Sequence, residues 1–399
     1  MKNIELLAPA GDMNRLRLAL KYGADAVYLG GRFGLRAGAV IEESNMEEAV
    51  SRTHSQGKKI YVTVNIFARN TDLEEIKAYV KRLEKIGIDA VIVSDLGVLK
   101  LVRENTNLEI HISTQANVLN KFTAEEYVKL GAKRIILARE CRLAEIKEIS
   151  AHLKNQCDIE VFVHGAMCVS YSGRCMLSNY MTAREANRGE CAQPCRYKYS
   201  AAEAGNFITG SFVEEKRPSE YWDAEEDDHG TYIMNSKDLC LINHLDELAA
   251  CGVSSFKIEG RMKSEYYVAA TVNTYRQALD GKKFDYKKES DKIPHRPWTT
   301  GFVVETNNNL FIEHSNQIST HEVTGMCLGG TKIVQRNVFC TGDELEILSP
   351  GRNHNMTFKV KSIKDEQGQS VTRANKANAV YFIDFDGLEP DDFLRKKLL

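Results

Sequence analysis

The sequence predicts an α/β fold: a TIM-like (β/α)8 barrel with an inserted cysteine-rich and hairpin segment, followed by a small C-terminal β-barrel. Three observations predict this architecture. Short apolar runs alternate with amphipathic stretches over roughly 280 residues. Several predicted helices end on a glycine just before an apolar run, as at Gly23, Gly87 and Gly131. After about residue 320 the pattern changes to short alternating segments between turns.

Eight candidate strands with helical crossovers favour a closed barrel over an open doubly wound sheet, because the strand–helix spacing is regular. Asp12 can cap the first helix, and the phrase beginning at Thr71 places a glutamate three residues after a capping threonine. The candidate strands are Ile4–Leu7, Ala26–Leu29, Lys59–Asn65, Ala90–Ser94, Glu109–Ser113, Arg134–Leu137, Glu160–Val163 and Ser255–Ile258.

The segment between the seventh and eighth strands is too long for a simple crossover. It contains the cysteine-rich stretch and then an acidic stretch through Glu214 and Glu215 and through Asp223–Asp228. We expect an insertion over the barrel mouth with a β-hairpin whose acidic tip is solvated.

The predicted barrel covers residues 1–281, and the charged, polar residues 282–320 are expected to form a linker. A small β-barrel domain is predicted over residues 321–399. Its candidate strands are Glu322–Cys327, Asn337–Phe339, Asp343–Ile347, Met356–Ile363 and Ala379–Ile383.

Composition narrows the functional classes. The 399 residues are 43% hydrophobic and 27% charged, with a net charge of −2, so no overall positive field would attract nucleic acid. A local basic patch is still sufficient for RNA binding. The N-terminus lacks the features of a signal peptide, and no apolar run approaches the roughly 18 residues of a membrane span. We therefore expect a cytoplasmic protein with no membrane partner.

Four of the ten cysteines fall within 28 residues, directly after the seventh predicted strand. They are Cys168, Cys175, Cys191 and Cys195, with spacings C-x6-C, x15 and C-x3-C. Such clustering in a reducing compartment indicates a metal or redox centre rather than disulfides. An iron–sulfur cluster takes four thiolates. Structural zinc usually uses tight C-x2–4-C pairs, and only Cys191 and Cys195 form one, so spacing favours iron–sulfur without excluding zinc.

A catalytic thiol is a third interpretation, because His164 stands close to Cys168 and could act as its base. Four clustered thiols exceed what a nucleophilic site needs. Zinc, nucleophilic and purely structural interpretations therefore remain open beside the iron–sulfur interpretation.

Several phrases are similar to the signature of the collagenase-like peptidase family, class U32. They span nearly the whole predicted barrel, and the tail also resembles a C-terminal β domain found in part of the family. The phrases are Leu6-Leu-Ala-Pro-Ala-Gly, Ser113-Thr-Gln-Ala-Asn, Glu160–Ser178, Asn235-Ser-Lys-Asp-Leu-Cys240 and Phe256-Lys-Ile-Glu-Gly-Arg-Met-Lys-Ser264.

The resemblance implies an iron–sulfur protein of oxygen-independent hydroxylation rather than a peptidase, with prephenate as a required small molecule. Members of this kind act on a tRNA wobble uridine, on a ribosomal RNA cytidine or on a ubiquinone precursor. The barrel with its tail most resembles the tRNA branch, so an anticodon loop is the expected partner. The resemblance also implies that Cys168, Cys175, Cys191 and Cys240 hold a [4Fe–4S] cluster, with Cys195 as an alternative or neighbouring thiol.

Polar residues follow several predicted strands, where barrel enzymes place their chemistry. A dianion such as prephenate favours guanidinium partners, which makes Arg36, Arg139 and Arg261 candidates for binding it. Each arginine could instead belong to an ion pair at the rim. The complete set of candidates is Arg36, Arg139, Arg261, Asn65 and Gln115 for substrate binding, and His164 and Glu259 for catalysis.

Two rival functions stay open. A peptidase would cleave collagen-like peptides without iron, yet the sequence contains neither an HExxH helix nor a serine elbow. A cluster-bearing RNA-binding protein without enzymatic activity would bind tRNA and modify no base. A homologous partner chain or a homo-oligomer is also compatible with the resemblance.

Overall fold

A computed structural model describes residues 4–35, 40–168, 170–182, 184–196, 210–213, 221–224, 226–227, 230–231, 236–304 and 317–398. Strands and helices alternate along its first part. These elements are β1 (Glu5–Ala10), α1 (Met13–Lys21), β2 (Ala26–Gly30), α2 (Glu43–His54), β3 (Lys59–Val64), α3 (Leu73–Ile86), β4 (Ala90–Val93), α4 (Leu96–Asn105), β5 (Glu109–Ile112), α5 (Lys121–Lys129), β6 (Arg134–Ile136), α6 (Leu143–Leu153) and β7 (Asp158–Ala166).

The insertion follows β7, and the chain then returns to the barrel. These elements are α7 (Leu177–Thr182), β8 (Gly210–Val213), β9 (Tyr221–Ala224), β10 (Glu226–Asp227), β11 (Gly230–Thr231), β12 (Asp238–Cys240), α8 (Leu245–Ala250), β13 (Ser255–Ile258) and α9 (Glu265–Leu279). β8 and β9 pair as an antiparallel hairpin, as expected. The tip through Glu214 and Glu215 lies outside the described residues.

The barrel is closed by parallel strands in the order β13-β1-β2-β3-β4-β5-β6-β7, with β13 also pairing with β7. Leu6 of β1 stands opposite Phe256 of β13, and Lys257 of β13 stands opposite Phe162 of β7. Asp12 caps α1 by accepting a hydrogen bond from the Arg15 amide. The predicted TIM-like barrel is therefore confirmed.

A buried ion cluster crosses the barrel interior. Glu160 on β7 accepts a hydrogen bond from the Lys257 ammonium at 2.9 Å and pairs with Arg134 on β6 at 3.2 Å. Arg134 also contacts Glu5 on β1, and Ser255 on β13 donates to both Glu5 and Glu160. Burial alone would raise the pKa of Glu160, but the charges of Lys257 and Arg134 outweigh it and the pKa is lowered.

The C-terminal part contains an eight-stranded antiparallel sheet in the order β19-β18-β24-β15-β16-β23-β20-β21, curved as a half-barrel. Residues 282–304, inside the expected linker, form α10, β14 and α11, and β14 extends the barrel sheet through β12. The elements are α10 (Tyr286–Ser290), β14 (Trp298–Thr299), α11 (Gly301–Val304), β15 (His321–Gly329), β16 (Lys332–Gln335), β17 (Phe339–Cys340), β18 (Glu344–Leu348), β19 (Thr357–Lys359), β20 (Ile363–Lys364), β21 (Ser370–Val371), β22 (Arg373–Ala374), β23 (Val380–Ile383) and β24 (Phe393–Lys397).

The strands of the C-terminal domain differ in part from the predicted strands. The single strand expected over Met356–Ile363 is two strands, β19 and β20, in different parts of the sheet. Sequence analysis also missed β16 and β24, which lie beside β15 on its two sides. These strands are short, and their charged residues hide the alternation that identifies a strand.

Buried ion pairs join the C-terminal sheet to the barrel. The guanidinium of Arg395 on β24 is fully buried and lies 2.6 Å from Glu289 on α10 and 2.5 Å from Glu346 on β18. Lys292 contacts both carboxylates as well. Burial would raise the pKa of Glu289, but Arg395 and Lys292 lower it to about 2. No helix in the described ranges is long and apolar enough to cross a membrane.

Replacing Arg395 by leucine should lower the free energy of unfolding by about 3 kcal/mol, because Lys292 is then the one permanently charged partner of the two buried carboxylates among the described residues. Arg336→Leu is the matched control, since its ion pair with Glu265 crosses the same interface half-exposed and should contribute less than about 1 kcal/mol. Urea denaturation measures the free energy of unfolding of both variants.

The ion pairs of Glu289 should contribute to the free energy of unfolding above pH 4.5, and this contribution should be lost as the pH falls towards 2. If Arg395→Leu and Arg336→Leu lowered the free energy of unfolding equally, the buried ion pairs would not be the stronger link between the sheet and the barrel.

Candidate active site at the barrel mouth

One cavity opens at the C-terminal ends of the barrel strands, beneath the segment that carries the clustered cysteines. Its walls come from seven of the eight barrel strands or the turns after them, and from residues 168–195. The lining includes Tyr28, Leu35, Thr63, Asn65, Ser113, Gln115, Arg139, Phe162, Cys168, Tyr171, Gly173, Cys175, Cys191, Cys195, Lys257, Glu259 and Arg261.

The floor combines a cation with two aromatic rings. The ammonium of Lys257 lies 4.4 Å from the centre of the Tyr28 ring and 5.4 Å from that of Phe162. Burial lowers the pKa of Lys257, and the neighbouring Glu160 acts in the opposite direction. The ion cluster of the barrel interior therefore ends in a positive charge under the cavity.

Asn65 and Gln115, both predicted to bind substrate, are brought together on one side of the cavity. The Asn65 side-chain amide donates to the Gln115 Oε1 at 2.7 Å and to the Ser113 hydroxyl at 3.2 Å. Its oxygen accepts from the backbone amide of Leu35 at 3.0 Å. The carboxyl ends of β3 and β5 are thus joined by a rigid set of polar side chains.

Two of the three predicted arginines line the cavity. Arg139 donates to the carbonyl of Ala166 at 2.7 Å, lies 3.3 Å from the Glu259 carboxylate, and covers the Phe162 ring at 4.1 Å. Arg261 donates to the Thr63 hydroxyl at 3.3 Å and to the carbonyl of Leu35. The third arginine, Arg36, lies outside the described residues.

The segment 168–195 is fixed over the cavity by polar contacts to the barrel. Glu140, after β6, accepts hydrogen bonds from the backbone amide and the hydroxyl of Ser172. Gly173 has a φ of +73°, and a Cβ there would lie 2.4 Å from the carbonyl oxygen of Gln115. Arg188 pairs with Asp72 at 2.7 Å. Close approach to the strand ends thus requires glycine at position 173.

Cys168, Cys175, Cys191 and Cys195 all line this cavity, whereas Cys240 lines a neighbouring cavity beside Trp298 and Lys287. Cys240 stands on β12, opposite His164 of β7. The spacing of the sequence and the arrangement of the structure therefore group the same four thiols. The family pattern, which includes Cys240, stays a prediction.

His164 packs on the outer side of β7 and is not among the cavity-lining residues. The register of β7 with β13 shifts between Lys257 and Ile258, so Val163 is an extra residue in β7. Such a bulge redirects the side chains that follow it. The His164 ring lies 5.0 Å from the Trp298 ring, and Nδ1 lies 3.3 Å from the hydroxyl of Tyr275. Burial lowers the pKa of His164 to about 3.

Four thiols at one cavity match the number and kind of ligand that an iron–sulfur cluster takes. Within the described ranges, no three histidine, cysteine or acidic side chains converge closely enough to hold one ion. A single zinc needs its thiolates about 2.3 Å from one point. In a four-iron cluster each iron takes its own thiolate, so the sulfur atoms stand further apart around one space.

Profiles of two domains match the chain. The profile described as peptidase family U32 matches residues 11–312, and the profile of the family's C-terminal domain matches residues 320–395.

The chain belongs to peptidase family U32.

Relatives in this family carry names that refer to RNA hydroxylation. The tRNA hydroxylation protein P of Escherichia coli (strain K12) is 38% identical, over 92% of this chain and 90% of the relative. The tRNA hydroxylation protein P1 of Bacillus subtilis (strain 168) is 36% identical, over 99% and 95%. The 23S rRNA 5-hydroxycytidine C2501 synthase of E. coli is 37% identical over 69% of this chain and 39% of its own length.

Sequence analysis did not predict the floor of the U32 cavity. Lys257, Tyr28 and Phe162 form its floor, and their strands read simply as apolar core. A lysine within an otherwise apolar strand could have indicated this site, because a charged residue is buried only when it has a partner.

Gly173→Ala should displace the cysteine-bearing segment, since the new methyl group would clash with Gln115. Gly281→Ala is a matched control: its φ of +74° is nearly the same, and no atom lies within 4 Å of the added Cβ. Both variants place an alanine in the strained left-handed backbone region. Only Gly173→Ala should increase hydrogen–deuterium exchange in residues 168–182. Equal exchange in the two variants would show that the contact with Gln115 does not hold the segment.

Proposed function

We propose that this U32 protein is a tRNA-modifying enzyme that hydroxylates a wobble uridine to 5-hydroxyuridine, in a prephenate-dependent and oxygen-independent reaction that uses an iron–sulfur cluster. One observation carries the proposal: four thiols and three cationic side chains line the same cavity at the mouth of the barrel. The names of the relatives from E. coli and B. subtilis support tRNA as the substrate.

The cavity floor suits a small aromatic-sized dianion. Arg139, Arg261 and Lys257 supply positive charge at separate points, and guanidinium groups bind carboxylates through paired hydrogen bonds. The rings of Tyr28 and Phe162 offer apolar surface between those charges. Prephenate, with one carboxylate on a six-membered ring and a second on its side chain, matches this combination.

The rim suits an unstacked base. The Tyr171 side chain lines the cavity and is 59% exposed, so one face of its ring remains open to solvent. A single-stranded loop presents its bases at low cost, and aromatic side chains stack on them. In the proposal Tyr171 stacks on the target uridine or its neighbour, while Asn65 and Gln115 contact the polar edge of the base.

Cys168, Cys175 and Cys191 would hold the cluster, with Cys195 or Cys240 as the fourth thiolate. The cluster would supply an iron that binds and activates the oxygen donor. Glu259 is the carboxylate among the described lining residues, and Arg139 orients it. It would accept the proton released from the base carbon during hydroxylation.

A cysteine peptidase is less well supported. A thiol nucleophile needs a neighbouring base. The described residues that line the cavity include no histidine, because the bulge at Val163 turns His164 outward. Hydroxylation of a ribosomal RNA cytidine is the rival supported by a relative, and the same cavity could accept either pyrimidine.

Anaerobically purified protein should be brown and contain about four iron and four sulfide per chain, as a four-thiolate cluster requires. Cys168→Ala should lose both, whereas Cys251→Ala, outside the cavity, should retain them. Comparing Cys195→Ala with Cys240→Ala identifies the fourth ligand as the variant that loses its iron. Iron-free wild-type protein would disprove the cluster.

Nucleosides from a deletion strain should lack 5-hydroxyuridine in tRNA, and the wild-type gene should restore it. Tyr171→Ala should restore it roughly 5- to 100-fold less well, because loss of one stacked base weakens binding by roughly 1–3 kcal/mol. Tyr171→Phe keeps the ring and serves as the control. Unchanged tRNA together with the loss of a hydroxylated ribosomal cytidine would favour the rival substrate.

A further inference from the structure

We propose that the outer face of the C-terminal sheet is an RNA-binding surface, centred on a row formed by Lys332, Phe382 and Lys364. This Lys–Phe–Lys row would bind the tRNA next to the loop that enters the barrel. The inference rests on the proposed function for the identity of the RNA.

Strand register brings the three side chains together. Lys332 of β16 stands opposite Phe382 of β23, and Phe382 stands opposite Lys364 of β20 on its other side. Side chains directly opposite one another in antiparallel strands share a face, with Cβ atoms about 4.5–5.5 Å apart. The phenyl ring therefore has an ammonium-bearing chain on each side, although Lys332 and Lys364 lie 50 and 18 positions before it in the sequence.

Burial shows that this face points away from the domain core. Along β23, Tyr381 and Ile383 are buried, whereas Phe382 between them is partly exposed. Their cross-strand partners, Ile333 and Ile363, are buried as well, while both lysines of the row are exposed. Phe382 packs against neither hydrophobic core and has no ring contact within the described ranges. An aromatic side chain without a core partner is a candidate contact residue.

The two lysines are not committed to acidic partners. Neither forms a salt bridge with a residue that the structure describes, unlike Arg395 and Lys292 elsewhere in the domain. Two carboxylates that follow the row residues by two positions in the sequence are engaged by backbone amides. Asp384 accepts from the amides of Lys361 and Ser362, and Glu366 accepts from the amide of Val380.

The strand that begins at Lys332 ends beside the helix that follows the barrel mouth. Arg336, the residue after β16, donates to the Asn378 side chain at 2.8 Å and pairs with Glu265 at 3.0 Å. Glu265 is the first residue of α9, four positions after the cavity residue Arg261. The strands that carry the row therefore run towards the rim where the base would enter.

RNA is the occupant that uses both kinds of side chain. Lysines neutralise phosphates at the two sides, and the ring between them stacks on a base whatever its identity. An acidic protein or another polyanion would use the lysines but would not need the ring. A modest tRNA-binding patch also explains how a chain of net charge −2 can bind nucleic acid.

The test measures binding of an unmodified tRNA transcript to the full-length, anaerobically purified protein by fluorescence anisotropy at several salt concentrations. Lys332→Ala combined with Lys364→Ala should weaken binding and reduce the slope of log K against log salt by about 1.4, the value for two contacts to a single strand. Phe382→Ala should weaken binding roughly 5- to 100-fold, and Phe382→Trp should restore it.

Lys359→Ala is the matched control. Lys359 is an exposed lysine of the same sheet, but it lies on β19 at the opposite edge and faces Glu344. This variant should bind tRNA within about twofold of wild type, since an exposed pair contributes little. Circular dichroism and iron content identify any variant that fails to fold.

Three results would overturn the inference: a wild-type protein that does not bind tRNA, lysine variants that match Lys359→Ala, or a Phe382→Ala variant that binds as tightly as wild type. The last result would indicate a general polyanion surface. Failure of the proposed function is seen separately, as unchanged 5-hydroxyuridine in the deletion strain. Loss of binding in the row variants would then still establish the RNA surface.

Discussion

The buried ion cluster of Glu5, Arg134, Glu160 and Lys257 is the constraint on which the rest of the barrel depends. It joins β1, β6, β7 and β13, the strands around the closure of the ring. Removing one member would leave an uncompensated charge in a space without water, so the strands are held in one register. The cluster also places a lysine at the top of the barrel interior, where an ordinary barrel has aliphatic side chains.

The mouth of the barrel is arranged around that charge. Polar residues at the ends of β3 and β5 bind one another, and the arginines after β6 and β13 are oriented by carbonyl groups as well as by acids. Carbonyl partners direct a guanidinium without cancelling its charge, so a bound anion still meets a positive site. The cysteine-bearing segment closes over this site through Glu140 and the close approach of Gly173 to Gln115. The clustered thiols and the cationic side chains are thereby brought into one cavity.

The second structural unit is attached to the barrel by buried ion pairs and by apolar packing, in which Phe393 contacts Tyr22 and Tyr266. These ion pairs, of Arg395 with Glu289 and Glu346, fix the orientation of the two units. Any other orientation would leave buried charges unpaired. A fixed orientation is what an enzyme needs if one unit binds an RNA and the other acts on one of its bases. The distance between the two contacts is then set by the protein rather than by a flexible linker.

The sequence by itself determined the eight barrel strands, the glycine-terminated helices, the cysteine-bearing segment and most polar residues at the mouth, because periodicity and turn chemistry are local properties. Asn65, Gln115, Arg139, Glu259 and Arg261 line the cavity because each follows a predicted strand at its carboxyl end. Only the tertiary structure decided where His164 points, since one extra residue at Val163 reverses the side chains and leaves no signal in the sequence. It alone placed Cys240 on a strand beside β7, at a separate cavity, and it alone paired Lys257 with Glu160 and assembled the Lys–Phe–Lys row. Those relations join residues that are far apart in the chain, and closure of the barrel and the register of the sheet determine them.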